Sequence, residues 1–97
     1  MKLRYTPEAV ADLVRIAADI RIHNPAAALR VRAAILDSIQ NLIVFPCAGR
    51  RQDAEGVRKL VTRKYFYLVY YTVDDAAEET IILNIKHPAQ RRKHQDA

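Results

Sequence analysis

A histidine and two groups of cations sit in the second half of this chain, around stretches that read as β-strand. His87 follows the apolar run of "ETIILNIKHPAQRRK", and Arg91, Arg92 and Lys93 come soon after it. Upstream, Arg50, Arg51, Arg58, Lys59, Arg63 and Lys64 meet only Asp53 and Glu55 among them. These residue types suit metal-free cleavage of RNA. One group takes the proton of the 2′-hydroxyl, another protonates the leaving oxygen, and cations hold the charge that builds on phosphorus. By type, His87, Lys59, Arg58, Arg63, Tyr67 and Arg91 could fill those roles. A plainer reading stands beside this one. A histidine at a strand end commonly packs and hydrogen-bonds. Tyr65, Tyr67, Tyr70 and Tyr71 suit a sheet and its core. Cations on an edge strand discourage wrong pairing.

Other chemistries find no support in the spacing. No paired carboxylates fall on a buried element, no His/Cys cluster has zinc-ligand spacing, and no glycine-rich loop could cradle a phosphate. Neither a metal nor a cofactor is expected. Ser38 is the only serine and falls mid-helix, which is a poor place for a nucleophile. The single Cys47 cannot form an intrachain disulfide and reads as a loop cysteine.

A chain of 97 residues argues for one domain, residues 1–97, with a modest core. The hydrophobic fraction of 51% is too high for disorder. No apolar run reaches the roughly 20 residues of a membrane span, and "MKLRYTPEAV" lacks the apolar segment of a signal peptide. The expectation is a cytoplasmic protein with no membrane partner. The formal net charge is +5. That balance favours an anionic partner, either nucleic acid or the acidic face of a protein.

The elements that would position these groups follow from local patterns. "KLRY" reads as a short strand. Thr6 caps and Pro7 opens a helix whose apolar face is Ala9, Leu13, Ile16, Ala17 and Ile20. Asn24 and Pro25 start a second helix, with Ala28, Val31, Ile35, Ile39 and Leu42 on one side and Pro46 closing it. The short connection makes an antiparallel hairpin of the two. "CAGRRQDAEG" is a polar loop holding both glycines, Gly49 and Gly56. The runs "VRKLVT", "YFYLVYYTV" and "ETIILNIK" are strands, the last with Ile81, Leu83 and Ile85 on one face. The fold class is α+β: an antiparallel sheet of three to four strands with the N-terminal helical hairpin on one face, in the order β-α-α-β-β-β.

In this order the pieces resemble the RelE/ParE superfamily of bacterial toxins from type II toxin–antitoxin modules. "TPEAVADLVRIAADI" is similar to the family's opening helix, with landmarks at Ala9, Asp12, Leu13, Ile16 and Ile20. "LIVFPCAGRR" carries its Leu, Pro and Gly-Arg signature at Leu42, Pro46, Gly49 and Arg50. "GVRKLVTRKYFYLVYYTV" resembles the central hairpin, and "IILNIKHPAQRR" the last strand with its His-x-Ala ending. The resemblance implies a toxin in a hetero-oligomer with a cognate antitoxin. That antitoxin is expected against the helical hairpin and the sheet edge, with Leu13, Ile20, Val31 and Ile35 as its candidate contacts.

The superfamily has two branches with different targets, and this sequence leans to the ParE-like one. ParE-like members inhibit DNA gyrase, and RelE-like members are ribosome-dependent mRNA endonucleases. The ending Lys86-His87-Pro88-Ala89-Gln90-Arg91 resembles the ParE-type close, and Tyr67 stands where RelE-type nucleases place an arginine. Phe66, where proline is common, and Thr72, where arginine is frequent, depart from the ParE pattern. If the chain is a nuclease, His87, Arg58, Lys59 and Arg91 are its catalytic candidates. Arg50, Arg63, Lys64, Tyr67, Lys86 and Arg92 are the candidates for binding the target or nucleic acid. A third alternative is an inactive or repurposed binding module.

Overall fold

The computed structural model describes residues 1–88. Strand β1 (Lys2–Tyr5) leads into helix α1 (Pro7–Arg21) and helix α2 (Pro25–Gln40), which ends in a 3-10 turn, Asn41–Ile43. Strands β2 (Arg50–Arg51), β3 (Val57–Val61), β4 (Leu68–Asp74) and β5 (Glu79–Lys86) follow. They form one sheet in the order β1-β5-β4-β3-β2. β1 runs parallel to β5, and the other pairs are antiparallel. The α+β class and the helical hairpin agree with the sequence. The sheet gains a fifth strand, because two residues of the polar loop pair as Arg50 with Lys59 and Arg51 with Arg58.

Local chemistry sets the helix starts. The Thr6 hydroxyl accepts from the Ala9 N–H at 3.1 Å, and the Asn24 side chain accepts from the Ala27 N–H at 3.1 Å. Each cap satisfies a donor that the first turn would leave unpaired. Thr6 also continues the sheet beyond β1. Its N–H donates to Ile82 O at 3.0 Å and its hydroxyl donates to Leu83 O at 2.8 Å. Asp12, buried in α1, takes the next place along that edge, where its Oδ2 accepts from the Ile85 N–H at 2.8 Å. Its Oδ1 accepts from the Arg15 guanidinium at 2.7 Å. A helix carboxylate thus closes the ladder that β1 is too short to cover.

The core lies between the hairpin and one sheet face. Ile35, Ile39, Leu42, Val69, Tyr71, Ile82 and Ile85 are fully buried there. Burial of each such side chain contributes about 1.5–3 kcal/mol. β5 corrects the simple alternation. Tyr70 pairs with Asn84 but Tyr71 pairs with Ile82, which leaves Leu83 as a bulge. The bulge exchanges the faces, so Ile82 and Ile85 both enter the core while Ile81 and Leu83 are half-buried. "YFY" is corrected too, because β4 begins only at Leu68 and the residues before it form a turn.

Candidate functional site

Among the described residues, the catalytic candidates Arg58, Lys59 and His87 do not share a site. Adjacent residues of a strand face opposite sides, and Arg58 pairs across from buried Tyr71 on the helix side. Its guanidinium donates to Gly49 O at 2.9 Å and to Cys47 O at 3.4 Å. Arg58 is therefore part of a latch. The Tyr71 hydroxyl donates to Pro46 O at 2.8 Å and accepts from the Gly49 N–H at 2.8 Å. A Cβ on Gly49 would lie 2.7 Å from the Tyr71 ring and 2.9 Å from Lys59 O, so only glycine fits. This gives the Pro46 and Gly49 signature a physical reason: its backbone groups are tied into the core. Burial raises the Tyr71 pKa above the usual phenol value, offset in part by the Gly49 N–H and Arg58.

Lys59 lies on the open sheet face, in the cross-strand row Arg50, Lys59, Tyr70, Asn84. Lys86 pairs with Leu68 on that same face. Asn84 Oδ1 in this row is buried and has no hydrogen-bond partner among the described residues. His87 lies at the opposite, helix-facing side. Its ring meets Tyr67 edge to face, with centroids 5.3 Å apart and planes at 89°. Both line a groove of about 390 Å³ with Arg15, Asp19, Ile20 and His23. Tyr67 is 5% exposed and belongs to the core cluster, so it offers no platform for a base. Burial, then the Asp19 carboxylate, raises its pKa above the ordinary phenol value.

Arg63 and Lys64 are exposed in the turn between β3 and β4. Arg91 and Arg92 lie outside the described residues. Among the described residues, no three His, Cys, Asp or Glu side chains gather as a metal site, and no helix is long and apolar enough to cross a membrane.

The residues expected at an antitoxin surface divide. Val31 and Ile35 are 6% and 0% exposed and are held in the chain's own core. Ile20 packs against that core and lines the His87 groove. Leu13 alone of the four lines a second groove, of about 450 Å³, between the outer sides of α1 and α2. Val10, Val14 and Leu29 join it there, and all three are exposed. The stripe rule finds the core face of each helix but has no means of finding an apolar outer face. Sequence reasoning placed Asp12 in the opening helix and Tyr71 in the sheet but did not find their hydrogen-bond partners, and it found no role for the buried hydroxyls of Ser38 and Thr62. Ile85 for Asp12, Arg63 for Ser38, and Pro46 and Gly49 for Tyr71 lie far along the chain, and a buried polar group in isolation gives no pattern.

A helical hairpin over one face of a five-stranded, mostly antiparallel sheet is the fold this chain shares with solved ParDE and RelBE structures. The chain is matched over residues 3–92 by the family described as the ParE toxin of the type II toxin–antitoxin system parDE, and it belongs to that family. It is 31% identical over 90 residues to "Putative toxin Y4kP" of Sinorhizobium fredii, covering 93% of this chain and 91% of that one. A structure of the chromosomal ParDE system from P. aeruginosa superposes with a TM-score of 0.79 at 28% identity, over 90% of this chain and 95% of that one. A chain of the intact E. coli RelBE toxin–antitoxin complex shares the fold, with a TM-score of 0.68 at 14% identity over 89% and 94% of the two chains.

Proposed function

We propose that this chain is the toxin of a type II pair, held inactive by a cognate antitoxin, and that it arrests growth by inhibiting DNA gyrase. One observation carries the choice of target. Among the described residues the imidazole and the cations point to different places: Arg58 to loop carbonyls, Lys59 and Lys86 to the open face, His87 to the helix side. A nuclease needs its base, acid and phosphate clamp within reach of one phosphodiester. A protein that inhibits by binding does not.

The antitoxin reading rests on the solved ParDE and RelBE relatives and on the α1–α2 groove, whose apolar floor is flanked by Arg21 and Arg32. An amphipathic antitoxin segment with acidic flanks fits it. Val14→Asp or Leu29→Asp is expected to weaken a purified antitoxin at least tenfold by calorimetry while leaving the thermal midpoint unchanged.

Induction without antitoxin tests the target. The expected result is growth arrest, a DNA damage response, intact transcripts and blocked supercoiling by purified gyrase. Ribosome-dependent mRNA cuts that vanish in His87→Ala would instead establish the nuclease. The exposed His87 beside the groove it shares with His23 and Arg15 favours that second reading. Unimpaired growth would leave a repurposed binding module.

A further inference from the structure

The turn between β3 and β4 holds two consecutive bulky residues in left-handed backbone: Tyr65 at φ 64° and Phe66 at φ 56°. For residues with a Cβ this region is unfavourable, and in tight hairpins Asn-Gly is the low-cost solution. Here both positions are aromatic, and neither gains burial in return: Tyr65 is 43% exposed and Phe66 64%.

The strain is held in place from both sides. Thr62 is buried, and its hydroxyl accepts from the Tyr67 N–H at 3.0 Å while donating to Lys64 O at 2.6 Å. Its own N–H donates to Tyr67 O at 2.9 Å. Buried Ser38 of α2 accepts from the Arg63 N–H at 3.4 Å. Arg63 and Lys64 flank the rings and form no ion pair among the described residues. The fold therefore fixes two exposed rings and two cations at one corner, against the preference of its own backbone. Backbone outliers of this kind persist where the surroundings over-determine them, and they cluster at functional positions.

We infer that this corner grips the toxin's macromolecular target, and that the partner is a protein face with an apolar socket rimmed by carboxylates. Aromatic and arginine side chains are the commonest anchors of protein interfaces. A protein fits better than nucleic acid because Asp37 lines the recess beside Tyr65, together with Arg30, Ala33 and Asn41. A continuous run of phosphates would meet that carboxylate, whereas separate carboxylates around an apolar socket pair with Arg63 and Lys64 and need not face Asp37. The recess shares no lining residue with the α1–α2 groove, so target and antitoxin engage different parts of the chain.

The inference rests on the toxin reading above, and its test separates the two. The informative variant is Tyr65→Asn with Phe66→Gly, which relieves the backbone and removes both rings. It is expected to raise the thermal midpoint by roughly 4–8 °C and to keep antitoxin affinity within twofold. It should weaken inhibition of gyrase supercoiling at least tenfold. A lowered midpoint would overturn the strain argument, and undiminished inhibition would overturn the grip. If the wild-type chain leaves gyrase untouched, the gyrase reading fails by itself, and growth arrest on induction becomes the readout. Loss of toxicity in the double variant then supports the inference, and retained toxicity overturns it. A labelled single-stranded oligonucleotide, bound by the wild type and lost by the variant, would overturn the assignment to a protein partner.

Discussion

Arg58 and Arg63 come from the same basic stretch, yet the structure uses them in opposite ways. Arg58 turns to the helix side and donates to Gly49 O and Cys47 O, completing a latch with Tyr71. Arg63 stands in a strained turn, with its side chain in solvent. One region ties Pro46 O, Cys47 O and both backbone groups of Gly49 into hydrogen bonds and leaves no room for a Cβ at Gly49; the other accepts an unfavourable backbone to keep rings and charges outside. Charge in a sequence therefore does not mark a site. What marks it is where the donors go, and that depends on which carbonyls the fold brings near.

The sharpest way to break this contrast is at the latch. Gly49→Ala forces a methyl against Lys59 O and the tied Tyr71 ring, and should cost about 3 kcal/mol in urea unfolding. A change near zero would show that the loop is loose. Asp12→Ala leaves the Ile85 N–H without its acceptor at the end of the sheet, at an expected cost of about 2–3 kcal/mol. Amide exchange at Ile85 should accelerate with it.

Tyr71→Phe removes both latch bonds of the hydroxyl and strands the Gly49 N–H, for about 1–2 kcal/mol. It carries a pH signature as well. The Tyr71 pKa is raised in the folded chain, so the folded state holds that proton more tightly than the unfolded one. The resulting stability is complete below the unfolded phenol value of about 10 and is lost as pH rises through the higher folded value. Thermal stability should fall above about pH 10, and less steeply in Tyr71→Phe. The smallest effect belongs to the turn. Thr62→Val removes the hydroxyl that bridges Lys64 O and the Tyr67 N–H. The expected loss is about 1 kcal/mol, because the relaxed backbone of Tyr65 and Phe66 offsets part of it. A loss as large as that of Gly49→Ala would mean that the turn is as structural as the latch.

Much of the fold was legible because its determinants are local. Thr6-Pro7 and Asn24-Pro25 carry their helix starts within a few residues, and the apolar stripes of α1 and α2 repeat at the helical period. Two errors had non-local causes. The bulge at Leu83 depends on a register shift opposite Tyr70 and Tyr71, so strict alternation placed Ile81 and Leu83 where Ile82 belongs. β2 is two residues long and exists only because β3 presents an edge beside it.

By itself the sequence determined the helical hairpin, the α+β class and the basic character of the second half, since capping, periodicity and charge are properties of neighbouring residues. Only the tertiary structure decided which cations are latched and which are displayed. It also separated His87 from Lys59, and set Val14 and Leu29 together on an apolar outer face of the hairpin. Those outcomes depend on which strand face, which carbonyl and which helix side come together when distant segments pack, and no local pattern encodes that.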